Sequence, residues 1–261
     1  NAKELHSTSS GDGTDISETA KEAVLPTAYF TFPESDVTGT EEPGILAYGP
    51  VAYTEKTGTG SGDAKPVAIF ARLKRAYAKV TVNYTAGTGV SITALRVENI
   101  PTRIYPFPAT GNSPTDAFMN VDLTVNAGQT TYSFFMPENL RGNGTSTTAK
   151  EKNQPDNGPT QSGSARNLDY CTCIVLTGTY NYYPNNTPEN AANPISVEYR
   201  FYPGADMIRN YDIERGKHYT LTLDLKGANS ADARVTITDG NVFTIADPDD
   251  VTHKDDIVFG E

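Results

Sequence analysis

Three histidines, two cysteines spaced Cys-x-Cys and a surplus of carboxylates are the residues of this chain that could do chemistry. A hydrolytic Ser-His-Asp set would have to use His218, because His6 lies in a polar opening stretch and His253 in an acidic tail. Nothing beside His218 marks a nucleophile, and a single histidine at a strand end reads first as a solvated polar residue. Glu98, Asp122, Asp169, Asp212 and Glu214 fall in or near expected strands and could supply a glycosidase pair. That chemistry needs two carboxyls facing across a cleft, one of raised pKa, and such clefts in β-rich sugar-active proteins are normally walled by Trp and Tyr. The chain has no Trp.

Cys171 and Cys173 sit in a run that reads as strand. Residues i and i+2 share a face with Cα atoms roughly 6.5–7 Å apart, at or beyond disulfide reach, so the pair reads as small buried side chains. The acidic group Asp247, Asp249, Asp250, Asp255 and Asp256 lacks the spacing of a calcium loop and reads as a solvated tail. Arg72, Lys74, Arg75 and Lys79 could hold an anion, but their alternation with Ile69, Ala71 and Leu73 favours the outer face of a strand. No Gly-x-Ser-x-Gly elbow, His-Glu-x-x-His or phosphate loop is present. The sequence therefore assigns no catalytic, cofactor-binding or metal-binding residue, and the chain is expected to be no enzyme and to carry no cofactor.

The elements that would position any site are strands. Ala78, Val80, Val82 and Tyr84 alternate with Lys79, Thr81 and Asn83, and the run Tyr219 to Lys226 alternates more cleanly still. Val197, Tyr199 and Phe201, then Val235 and Ile237, repeat the pattern. Such period-two runs are half-buried antiparallel strands. Further strands are expected over 27–32, 44–54, 66–74, 90–100, 118–125, 130–136 and 170–180, separated by Gly- and Asn-rich turns. A helix is expected over 16–23, opened by Asp15 with Glu18 three residues on. Residues 142–167, almost free of apolar side chains, read as a long mobile loop.

The 261 residues suffice for one large β domain or two ordinary ones, and 37 % of them are apolar, including 15 Tyr and 10 Phe. The expected division is a flexible or processed segment 1–23, a β-sandwich over 24–125 and a second over 126–261. A net charge of −11 repels phosphate backbones and argues against nucleic acid as a partner. Apolar runs such as Val67 to Ala71 fall far short of the ~20 residues a membrane helix needs. No basic-then-apolar export segment opens the chain, so any export signal is expected to have been removed.

Three stretches, in order, resemble the fimbrillin family of Bacteroidales. The first is Phe70 to Val82, with Leu73, Arg75 and Ala78-Lys79-Val80, followed by Asn99-Ile100-Pro101. The second is Tyr132-Ser-Phe-Phe-Met-Pro-Glu-Asn-Leu-Arg-Gly142. The third runs from Tyr199-Arg-Phe-Tyr-Pro-Gly204 through Asn210-Tyr-Asp-Ile-Glu-Arg-Gly216 to Gly227. The resemblance spans residues 66–240. It implies an all-β fold of two transthyretin-like antiparallel sandwich domains, lipoprotein export and a cell-surface, outer-membrane or fimbrial location. It also implies a structural or adhesive role, with assembly on other fimbrial subunits by β-strand exchange and a lipid on a removed N-terminal segment. Family pilins are trimmed after an Arg near the front, whereas here no Arg precedes Arg72. Donor segments would be 27–32, with Ala28, Phe30 and Phe32 alternating, or 256–260, unless each pairs within its own chain. The rival reading is a surface glycan- or ligand-binding lipoprotein on the same fold, with host or bacterial surface ligands as partners.

Overall fold

Alternating side chains make these segments strands because one face can enter a core while the other meets water. The computed structural model describes residues 5–6, 29–39, 43, 51–55, 67–73, 75–105, 113, 115–160, 165–182, 193–227, 230–239 and 243–244. Its strands are β1 (Leu5–His6), β2 (Tyr29–Thr31), β3 (Val51–Glu55), β4 (Val67–Leu73), β5 (Tyr77–Ala86), β6 (Val90–Pro101) and β7 (Arg103–Ile104). They continue as β8 (Phe118–Leu123), β9 (Thr131–Pro137), β10 (Cys173–Tyr182), β11 (Asn193–Phe201), β12 (Lys217–Gly227), β13 (Ser230–Asp239) and β14 (Phe243–Thr244). The fold is all-β.

Two four-stranded sheets, ordered β13-β12-β5-β9 and β11-β10-β6-β8, face each other. From the first sheet come Val80, Val82, Phe134, Leu221 and Leu223, all at 0 % exposure. From the second come Val97, Ile100, Val121, Ile174 and Leu176, also at 0 %, and all ten share one apolar cluster. Each such side chain contributes about 1.5–3 kcal/mol on burial, so the sandwich is carried by this shared layer. Smaller sheets, β1-β2-β7 and β14-β4-β3, complete the described strands.

Two expectations change. Pairing is antiparallel except between β5 and β12, which run parallel with Val80 opposite Tyr219 and Val82 opposite Leu221. A boundary between residues 125 and 126 would cut both large sheets, since β5, β6 and β8 precede it while β9, β10 and β12 follow. Strands from both sides build this one sandwich. Of the two readings left open for 27–32, donation or pairing within the chain, the structure has the second: β2 pairs with β1 and β7. The helix expected over 16–23 and the acidic tail lie outside the described residues.

A five-residue helix, α1 (Glu34–Thr38), was not expected from the sequence. It starts after extended Pro33, and Glu34 and Asp36 favour its first turn through the helix dipole. It packs against β8 and β9, the edge strands of opposite sheets. Phe32 just before it and Val37 within it are both 0 % exposed and belong to the shared core.

Candidate functional site

The residues that carry the three sequence stretches converge on one end of the sandwich. The β6–β8 register is interrupted between Val97 and Ile100, and Asn99 there adopts φ 58°, a left-handed conformation that Asn tolerates better than most residues. Its side-chain amide donates to Cys171 O at 2.9 Å. Pro137 ends β9, and the chain then bridges Ile213 through Asn139, whose N–H donates to Ile213 O at 2.8 Å.

Asn139, at 0 % exposure, is the hub. Its Nδ2 donates to Tyr170 O and to Thr172 Oγ1, both at 2.9 Å, and its Oδ1 accepts from Arg141 Nε at 2.8 Å. Arg141 also donates to Ser113 O, and its main-chain N–H, with that of Gly142, donates to Asp212 Oδ1 at 2.6 Å. Burial holds the Arg141 pKa below its ordinary value. Glu138 meets Arg215 at 3.1 Å, with side chains 11 % and 9 % exposed. Gly142 (φ 80°) and Gly216 (φ 69°) turn the chain where a Cβ would be strained. The arrangement welds loops from both sheets.

Over this hub, the polar segment expected to be a mobile loop, described over 142–160 and 165–167, folds onto the sheet through residues 142–160. Cys171, two residues before β10, and Cys173 and Val175, on the face of β10 opposite Ile174 and Leu176, form a second small core with Tyr202 and Tyr211. Two 3-10 turns, Glu151–Asn153 and Pro155–Asn157, lie in the cover. Ser146 donates to Ile208 O, Asn153 Nδ2 donates to Arg200 O at 2.9 Å, and Tyr211 OH donates to Lys152 O at 2.8 Å. Lys152, 1 % exposed, donates to Asp206 O and Asn210 O at 2.6 Å each, with Tyr211's ring centroid 4.8 Å away. Burial lowers its pKa to about 7. Side chains that look soluble here reach inward to main-chain carbonyls, which accounts for the misread composition.

The other expected site residues are dispersed. Glu98 pairs with Arg200 and lies 3.9 Å from Arg96, which lies 3.9 Å from Asp122 as well. Asp169 and Glu214 are exposed, while Asp212 is held by the hub. Cys171 and Cys173 are buried and form no disulfide, and burial pushes each thiol up to about 12. Lys79 lies over Phe135, 5.9 Å from the ring centroid. His6 lies in β1. His253, Lys74 and the acidic group from Asp247 onward lie outside the described residues.

His218 has neighbours that its sequence context hid. Thr81 Oγ1 lies 2.9 Å from His218 Nε2 and 2.8 Å from Ser133 Oγ, on the outer face of the sheet. The register of β5 with β12 and β9 makes the row, and no local signal could reveal it. Burial, then the charge of Lys79, keeps the His218 pKa below 6.5. The row crosses an open sheet face, whereas nucleophilic catalysis needs an enclosed site with oxyanion donors. Among the described residues, a cavity of about 20 Å³ lined by Arg103, Tyr105, Asp116, Glu138 and Arg215 has room for about one water.

The seam between β8 and β9 is the second candidate. Neither sheet closes it, and residues 32–37 fill it from outside both sheets, with Phe32 N–H donating to Thr102 O at 2.8 Å.

Comparisons with known proteins give the following matches. Residues 134–223, from within β9 to within β12, match a family described as a domain of unknown function, DUF4906. No curated protein matches the chain. Among solved structures, the tip fimbrial protein Mfa3 of Porphyromonas gingivalis is similar at 16 % identity and TM-score 0.40, over 64 % of this chain and 52 % of that one. The fimbrilin fimA of Porphyromonas gingivalis W83 is similar at 12 % identity and TM-score 0.37, over 71 % of this chain and 64 % of that one. The match thus spans about half the length of Mfa3.

Proposed function

We propose that this chain is a structural or adhesive subunit of a bacterial cell-surface fimbria, working without enzymatic chemistry and joining its neighbours by β-strand exchange. The observation that carries the reading is the β8–β9 seam. Two sheets end there with edge strands that do not pair with each other, and the core is completed by a separate segment bearing Phe32 and Val37. A slot of that kind is where an extended segment of another subunit would add main-chain hydrogen bonds along an edge and apolar side chains to the core. The ordered sequence stretches support the same reading, since residues from them meet in one hydrogen-bonded hub at the end of the sandwich. Outer-membrane association through a lipid on an N-terminal segment belongs to this proposal.

The glycan-binding alternative would gain from tyrosines clustered on an exposed strand face. Tyr84, Tyr132, Tyr199 and Tyr219 point into the core at under a tenth exposure, whereas Tyr170, 36 % exposed, stacks on Phe118. Light scattering on the full chain before and after limited proteolysis at its front tests the proposal. Head-to-tail oligomers after trimming are expected. A persistent monomer that binds glycans on an array would favour the alternative.

A further inference from the structure

Asn99 and Tyr170 are the non-glycine residues with left-handed backbones among the described residues, at φ 58° and 62°. They are neighbours in the hub: Asn99 Nδ2 donates to Cys171 O and Asn139 Nδ2 donates to Tyr170 O, both at 2.9 Å. Asparagine tolerates this conformation, whereas a bulky residue seldom takes it and glycine would fit more easily. The hub thus holds Tyr170 in an unfavourable backbone state. What this gains is an exposed ring, stacked on Phe118 with centroids 5.5 Å and planes 27° apart. Strain maintained by its surroundings points to a use for the side chain.

We propose that Tyr170 and Phe118 form a platform for the ring of a neutral sugar within a surface glycan. The C–H face of a pyranose carries partial positive charge and fits the negative face of an aromatic ring. Polar groups that could fix its hydroxyls stand beside the platform, as such sites require. Phe118, Asn120 and Asp122 share the outer face of β8, with Val121 buried behind them. Asn120 Oδ1 accepts from Asn99 N–H at 3.0 Å, which orients that amide, and the Asp122 side chain is 80 % exposed. Asp169, next to Tyr170, is exposed as well. Other ligand classes fit less well. The Arg141 guanidinium, 5.8 Å from the Phe118 ring centroid, disfavours a second cation on the stack. Asp122, Asp169 and the net charge of −11 repel anions, and a purely apolar ligand would strip water from these carboxylates without replacing it. The site gives an adhesive subunit something to hold, but it does not depend on strand exchange.

The test is retention of the labelled full chain on a printed array of neutral and acidic oligosaccharides, with oligolysine and oligoproline peptides alongside. Binding to neutral oligosaccharides is expected. Tyr170→Asn, which suits the left-handed backbone, is expected to weaken it about tenfold or more while the chain still melts cooperatively at an unlowered temperature. Tyr170→Phe, which keeps the ring, is expected to retain it. A chain that holds no neutral oligosaccharide overturns the proposal, as does binding that survives Tyr170→Asn. Binding confined to the acidic oligosaccharides or to either peptide overturns it too. Whether the chain oligomerises after trimming is read separately, so sugar binding by an oligomer leaves the fimbrial reading in place.

Discussion

Asn139 donates a hydrogen bond to Thr172 Oγ1 at 2.9 Å, joining the end of β9 to the start of β10 inside the protein. Sheets that face each other are held at this end by one amide, whose remaining donor and acceptor are also used. Asn139→Ala would leave Tyr170 O, Thr172 and Arg141 Nε without that partner in a site closed to water. The expected cost is about 3 kcal/mol, since buried unsatisfied groups cost ~1–3 kcal/mol each and relaxation recovers part. Urea unfolding checks it: the midpoint falls at constant slope. An unchanged midpoint would remove Asn139 from the centre of the hub.

The Glu138–Arg215 pair is nearly sealed, so removing one partner strands the other. Arg215→Met is expected to cost about 3–5 kcal/mol, and adding Glu138→Gln should recover a large part of that loss. A double-mutant cycle measures it. Additive effects would show that the two residues act separately.

At the seam, Phe32→Ala should cost about 3–5 kcal/mol, as for a fully buried aromatic. Ser133→Ala on the outer face of the neighbouring edge strand should cost within about 0.5 kcal/mol. Thermal melts of both variants distinguish a core residue from an ornament of the surface. Equal shifts would place Phe32 outside the core.

His218 titrates with a folded pKa below 6.5, first from burial and then from Lys79. The unfolded chain therefore binds this proton more readily, so stability is lost as pH falls through 6.5 and toward the folded pKa. Above 6.5 the contribution is flat. His218→Gln should remove that part of the acid slope, measured by urea midpoints across pH 5 to 8. A slope that survives the substitution would assign it to other groups.

Cys171 and Cys173, buried and pushed up to about 12, should resist maleimide in the native protein and react at both positions once it is denatured. Rapid native labelling would mean that the cover over β10 opens readily.

The strands were legible because period-two alternation is a local signal: Val80 and Val82, and Leu221 and Leu223, lie inward as their spacing requires. Their parallel partnership was not legible, since β5 and β12 are brought together only by the closed core. The Thr81–His218 contact links residues 137 apart for the same reason. Asn139 was legible as part of a recurring stretch, but its partners Tyr170 and Thr172 lie 31 and 33 residues on, so its structural role was hidden. Residues 142–160 were misread because Lys152 and Ser146 look like solvent-facing residues until carbonyls are found to receive them. The helix α1 is too short for any periodicity, and its two anchors Phe32 and Val37 make sense only against a seam that the sequence does not show.

Strand exchange at that seam can be read out by mixing isotope-labelled and unlabelled full chains under assembly conditions, cross-linking them and mapping the links between chains. Links from Phe118–Leu123 and Thr131–Pro137 of one chain to an extended segment of another are the expected result. Assemblies whose interchain links avoid both edge strands would contradict the account.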